Sequence, residues 1–168
     1  KKYAVLPLML FALSCGNQKN TSMPLTENYS LESECPTEGE CSVEILRDKS
    51  IDVKTDDIGK IYYSLQNAPG KTVIKYSYSK HTDTALQDDG YNEDILFEVN
   101  SDYTEFSYTD AALQDTKMLF GVMCFCRGKA GFYKVTEGSV TYNGKNLEIH
   151  IPEIVDSQKL KDISIRFQ

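Results

Sequence analysis

Beyond residue 40 the chain alternates apolar and polar positions in short runs rich in Val, Ile, Tyr and Phe, separated by turn-forming residues. A period of two predicts strands with one dry face. Residues 42–47 place Val43 and Ile45 on one side, and 94–100 set Ile95, Phe97 and Val99 against Leu96, Glu98 and Asn100. Residues 103–108 alternate in the same way, and 163–167 form a last strand. Between runs 60–66 and 72–80 lies Asn67-Ala68-Pro69-Gly70, a turn sequence because Pro fixes one φ and Gly tolerates a positive one. Asn143-Gly144 between alternating runs predicts a hairpin with a type I′ turn. Pro152 should end the second strand of that hairpin, since it cannot donate to a ladder. Residues 110–117, with Ala111, Ala112, Leu113 and Gln114, predict one short helical turn. The apolar run 118–126 leans to a strand covered on both faces. The pattern as a whole predicts an all-β antiparallel sandwich or barrel of about eight strands with one short helix, occupying residues 35–168.

The first 34 residues break this pattern. Lys1-Lys2 precede an apolar run from Tyr3 to Leu13, about half of the roughly 20 residues needed to cross a bilayer but suited to the centre of an export signal. The run ends at Ala12-Leu13-Ser14-Cys15, followed by the polar Gly16-Asn17-Gln18-Lys19-Asn20. This layout resembles the leader of bacterial lipoproteins, with Ala12 and Leu13 departing from the residues usual in that box. The resemblance implies cleavage after residue 14, a lipid on the Cys15 thiol and display at the cell envelope. Gly16 after the cysteine implies the outer membrane, on the leaflet facing the periplasm. Residues 134–151 are similar to the closing hairpin of many lipoprotein β-sandwiches, a likeness that carries no site residues. A thiolate is the strongest common nucleophile and can be alkylated by a lipid donor, and two or three acyl chains make a stable anchor. Residues 15–34 have no period and read as a polar flexible tether.

Charge narrows the partners. With 18 basic against 25 acidic residues the chain carries −7, and loss of Lys1 and Lys2 would make it more negative. Nucleic acid needs clustered Lys and Arg and is excluded as a partner; membrane contact is expected through the lipid, and an envelope protein or a glycan is the expected ligand class.

Four further cysteines, Cys35, Cys41, Cys124 and Cys126, would face an oxidising compartment, where disulfides are the default. In an extended strand Cys124 and Cys126 would lie about 6.5 Å apart, further than a disulfide favours. Pairing of these two with Cys35 and Cys41 is therefore expected first, and Cys35–Cys41 alone second. A redox Cys-x-Cys would need an exposed, low-pKa thiolate; Arg127 and Lys129 follow the motif, but Met123 and Phe125 suggest burial. Neither pair has zinc-site spacing.

Little else suggests chemistry. Only His81 and His150 are present, and no nucleophile elbow, zinc-protease motif or phosphate loop occurs, so neither catalysis nor a cofactor is expected. His150, between Ile149 and Ile151, belongs on the wet face of a strand. The acidic stretch containing Asp88, Asp89 and Asp94 could offer oxygen ligands to calcium, yet Ala85 and Gln87 stand where a calcium loop needs carboxylates, so a solvated loop is expected and no metal. Eleven tyrosines and no tryptophan raise an aromatic glycan-binding strip at Tyr62, Tyr63, Tyr76 and Tyr78, against which core packing is the plainer reading.

Overall fold

The computed structural model describes residues 25–83 and 89–168. Cys15 and Asp88 lie outside them. The strands form two five-stranded antiparallel sheets. One contains β1 (Tyr29–Leu31), β5 (Phe106–Thr109), β8 (Ser139–Tyr142), β9 (Asn146–His150) and β10 (Asp162–Phe167), in the order β1-β10-β9-β8-β5. The other contains β2 (Gly39–Thr55), β3 (Ile61–Lys80), β4 (Tyr91–Asn100), β6 (Leu119–Cys124) and β7 (Gly131–Lys134), in the order β2-β3-β4-β6-β7. A 3₁₀ helix, Asp110–Thr116, stands where the helical turn is predicted. The protein is an all-β sandwich, with ten strands among the described residues rather than about eight.

The two sheets meet over one core. Ile74, Tyr76, Ile95 and Phe97 of the second sheet pack in the same cluster as Val140, Leu147, Ile149 and Ile165 of the first, and Phe97 meets Phe106 edge to face at 6.4 Å between ring centroids. Each buried side chain of this size contributes about 1.5–3 kcal/mol. Strands β8 and β9 pair as expected, and β9 stops at His150, before Pro152. Their turn differs from the prediction. Within it only Gly144 takes a positive φ, 83°, whereas type I′ asks for two such residues; the Asn143 side chain closes the turn, accepting from the Lys145 and Asn146 amides at 3.1 and 2.8 Å.

Three further expectations are corrected. Residues 25–34 are not a free tether: Leu25 is buried, β1 pairs with β10, and the Arg47 guanidinium donates to the Leu25 carbonyl at 2.6 Å. The Asn67–Gly70 stretch does not end a strand. β3 runs through it as a wide bulge, with Arg47 opposite Thr72 and Lys49 already opposite Asn67; Asp48 accepts from the Gly70 amide at 3.1 Å, and Pro69, with no amide to place, suits a bulge. β4 has no wet face, because Leu96, Glu98 and Asp94 are buried along with Ile95, Phe97 and Val99.

The bulge explains that second dry face. Beyond it the outer half of the β2–β3 hairpin lies over the back of its own sheet. Ile51 joins Val73, Leu96 and Leu119 in a second core, and Ile61 pairs with Phe132 of β7. Glu98 latches this flap. Its carboxylate accepts from the Ile51 amide and the Ser50 hydroxyl, both at 2.7 Å, and pairs with Lys117 at 3.0 Å. Lys117 in turn donates to the Ile51 carbonyl at 2.8 Å. The outward backbone groups of β2, an exposed edge strand, are thus closed by side chains; at Val43 the Tyr29 hydroxyl does the same. Burial alone would raise the Glu98 pKa, but the bonds from Ser50, Ile51 and Lys117 outweigh it and hold the group below its ordinary value.

Candidate functional site: the disulfide-bound end

Antiparallel register brings the start of β2, the end of β3, the start of β4 and the end of β6 to one end of the sandwich. Cys41 stands opposite Tyr78, Tyr78 opposite Glu93, and Tyr91 opposite Cys124. Both disulfides are here, and each is local: Cys35 joins Cys41, and Cys124 joins Cys126. The expected cross-pairing is therefore corrected. The Pro36–Gly39 turn, closed by the Gly39 amide on the Pro36 carbonyl at 3.1 Å, brings Cys35 and Cys41 to a Cα separation of 5.7 Å. At the other pair the chain leaves the extended form after Cys124, so the Cα atoms lie 5.2 Å apart, inside the range a disulfide spans.

Phe125, between the linked cysteines, is 83% exposed. The apolar flank that suggested burial instead projects a large ring into solvent, where water contact is costly. Beside it Glu38, Lys80, Asp89, Tyr91, Ser157 and Lys159 line a cleft of about 310 Å³. Lys80 pairs with Asp89 at 2.7 Å and Lys159 with Glu38 at 3.3 Å. The hydrogen bond between Lys80 and Asp89 holds the ammonium pKa above, and the carboxyl pKa below, their ordinary values.

A buried acid holds the floor in place. Glu93 is fully buried, accepting from the amides of Lys159 at 2.8 Å and Leu160 at 2.7 Å and from the Tyr91 hydroxyl. These bonds fasten the β9–β10 connection to β4. Burial, and then the Glu93 carboxylate, push the Tyr91 pKa well up. The buried Tyr78 hydroxyl nearby has no partner among the described residues.

The other candidates separate. Tyr76 and Tyr78 are core residues, 1% and 0% exposed, while Tyr62 is exposed on the flap and Tyr63 is half-buried there with its ring edge-on to Phe132 at 5.0 Å; these four form no strip. Asp94 is not part of a loop cluster with Asp89. It is buried in β4, 3.6 Å from Lys75, which also holds Glu44 at 3.2 Å. Burial lowers the Lys75 pKa, but Asp94 and Glu44 raise it by more. No group of three or more metal-ligating side chains gathers among the described residues. His150 is exposed and its Nδ1 lies 2.6 Å from Asp162. Among the described residues no helix is long and apolar enough to cross a membrane.

Sequence reasoning missed Phe125 and Glu93. The signal available for the first is its place as a single residue between two cysteines, which the structure joins. Glu93 carried no signal distinguishing it from the acids around it. Family models, curated proteins and solved structures give no match to this chain.

Proposed function

We propose that this chain is a non-catalytic binding domain held at the bacterial cell envelope by a lipid on Cys15, and that it engages a protein of that envelope through the end carrying Phe125. The exposed Phe125 ring, clamped between two joined cysteines, carries the reading. Aromatic anchors held rigidly before contact lose little conformational entropy on docking, which favours them as centres of interfaces. Both disulfides close small loops, and small loops remove little entropy from the unfolded chain, so their weight falls on shaping this surface. The ion pairs around the cleft supply a polar rim.

The test removes the anchor. A Cys15→Ser chain, left unlipidated, should still sediment with washed envelopes, and Phe125→Ala in that background should abolish this while Ile58→Ala, at another strongly exposed apolar side chain, should not. Equal retention of the two would contradict the proposal. Intact mass of the natural chain tests the lipid itself: a diacylglycerol adduct on Cys15 is expected, and an unmodified Cys15 would refute the anchoring.

A second reading, thiol–disulfide exchange at Cys124–Cys126, is favoured by one observation, the half-exposed position of that pair beside Lys80 and Lys159. Equilibrium with glutathione separates the two: a redox role needs a pair that is reduced within the range of the compartment's own poise.

A further inference from the structure

We propose that a second site, a groove between the flap and the β6–β7 loop, binds an acidic saccharide through Lys60, Arg127 and Lys134. The groove has a volume of about 690 Å³, within the range of ligand sites. Its three cations come from separate places in the fold: Lys60 closes the β2–β3 turn, Arg127 begins the loop after Cys126, and Lys134 ends β7. No acidic residue lines it.

Many cations of this acidic chain already face an acid. Lys54, Lys75, Lys80, Lys117, Lys159 and Lys161 each face a carboxylate within 4 Å. Among the described residues Lys60, Arg127 and Lys134 are not ion-paired; of the other cations without a carboxylate, Arg47 and Lys49 are bonded to the Leu25 carbonyl and the Asn67 side chain, and Lys71 and Lys145 lie outside the groove. Three unpaired cations around a concavity that no acid lines favour an anion there; one acid, Asp56, is bonded to this set, its carboxylate accepting from the Lys60 backbone amide at 2.7 Å.

The walls narrow the ligand class. Ile61, Phe132, Tyr133 and Ile154 supply apolar surface between the charges. Two of the rings are fixed, Phe132 edge-on to Tyr63 at 5.0 Å and Tyr133 by its hydroxyl on the Lys129 carbonyl at 2.7 Å. A lone small anion would use neither the walls nor cations drawn from three elements. A chain of sugar rings bearing carboxylate, sulfate or phosphate uses both: its C–H faces pack on rings and aliphatic side chains, and its charges meet Lys60, Arg127 and Lys134, Arg127 in the bidentate manner open to guanidinium. This site does not depend on Phe125 or on the lipid.

The probe is dextran sulfate, with neutral dextran as reference, titrated calorimetrically into the full chain at low salt. Binding should appear with the sulfated polymer only and weaken as salt rises. The double variant Arg127→Glu/Lys134→Glu should weaken it by at least about tenfold, while the charge-matched Lys71→Glu/Lys145→Glu should stay within about twofold. All four positions sit at or near the surface, and unchanged melting temperatures will confirm folding. Equal losses in the two double variants, equal binding of neutral dextran, or no binding at low salt would each overturn the proposal. So would binding of phosphatidylglycerol vesicles through Arg127 and Lys134 without binding of dextran sulfate, which would make the groove a membrane contact.

Discussion

The two sheets of this sandwich solve the same problem differently. In the β1-β10-β9-β8-β5 sheet the strands bury one face: along β9, Leu147 and Ile149 are inside while Glu148 and His150 meet solvent. In the other sheet β4 is buried without interruption from Glu93 to Val99. The difference is the outer half of the β2–β3 hairpin, folded back over its own sheet and latched by a buried carboxylate. One sheet uses water as its outer layer, and the other makes a layer from its own chain. The second arrangement requires polar side chains to close the backbone edge it covers, a duty that falls to Glu98, Ser50 and Lys117.

The largest effect should therefore come from the latch. Glu98→Ala leaves the Ile51 amide unpaired and Lys117 without its carboxylate, and should cost about 3 kcal/mol, a fall of roughly 6–12 °C in melting temperature. Glu148→Ala, on the wet face of the first sheet, should change stability by less than about 0.5 kcal/mol. Thermal unfolding of both compares the sheets directly; equal effects would remove the distinction.

Acid should act through the same group. The Glu98 pKa in the folded protein lies below the ordinary 4.5, so its contribution is complete above that value and is lost as pH falls through the lower folded one. The natural chain should lose stability on that descent more steeply than Glu98→Ala, as urea midpoints across the acid range will report.

Next comes the close packing of β6 against β7, beneath the flap residue Tyr63 that meets the same Phe132 ring. A Cβ at Gly121 of β6 would run into the Phe132 ring, so Gly121→Ala should cost about 2 kcal/mol through overpacking, read as a lower urea midpoint with unchanged slope.

The disulfides contribute as much or less. Loop closure gives about 2 kcal/mol for Cys35–Cys41 and about 1.5 kcal/mol for Cys124–Cys126. Serine at both positions of either pair should leave a folded protein by circular dichroism, while Cys124→Ser/Cys126→Ser should release Phe125 and weaken envelope association.

The sheet that meets water was readable from the chain. Val140–Tyr142 and the run to Ile149 alternate cleanly, because one face is wet and a period of two is the direct result. The flap was not. Asn67-Ala68-Pro69-Gly70 has turn chemistry, and local chemistry alone cannot separate a turn from a bulge when the partner strand, bent at Asp48, lies about 20 residues away. Glu98 reads as a solvent residue because only the tertiary fold brings Ser50, Ile51 and Lys117 to it. The site was legible in pieces. The cysteines were recognised as disulfide formers, but their partners depended on where the chain turns, and Phe125 was assigned to the interior because its neighbours are apolar. For Tyr76 and Tyr78 the plainer reading, core packing beside Ile74, is the one the two sheets bear out.

The most direct test of the binding account places a photoactivatable benzoylphenylalanine at position 125 of the full chain in living cells. The account predicts one discrete cross-linked protein adduct that is absent when the same group stands at position 145, on the β8–β9 turn. Adducts of equal yield and pattern from both positions, or none from position 125, would contradict it.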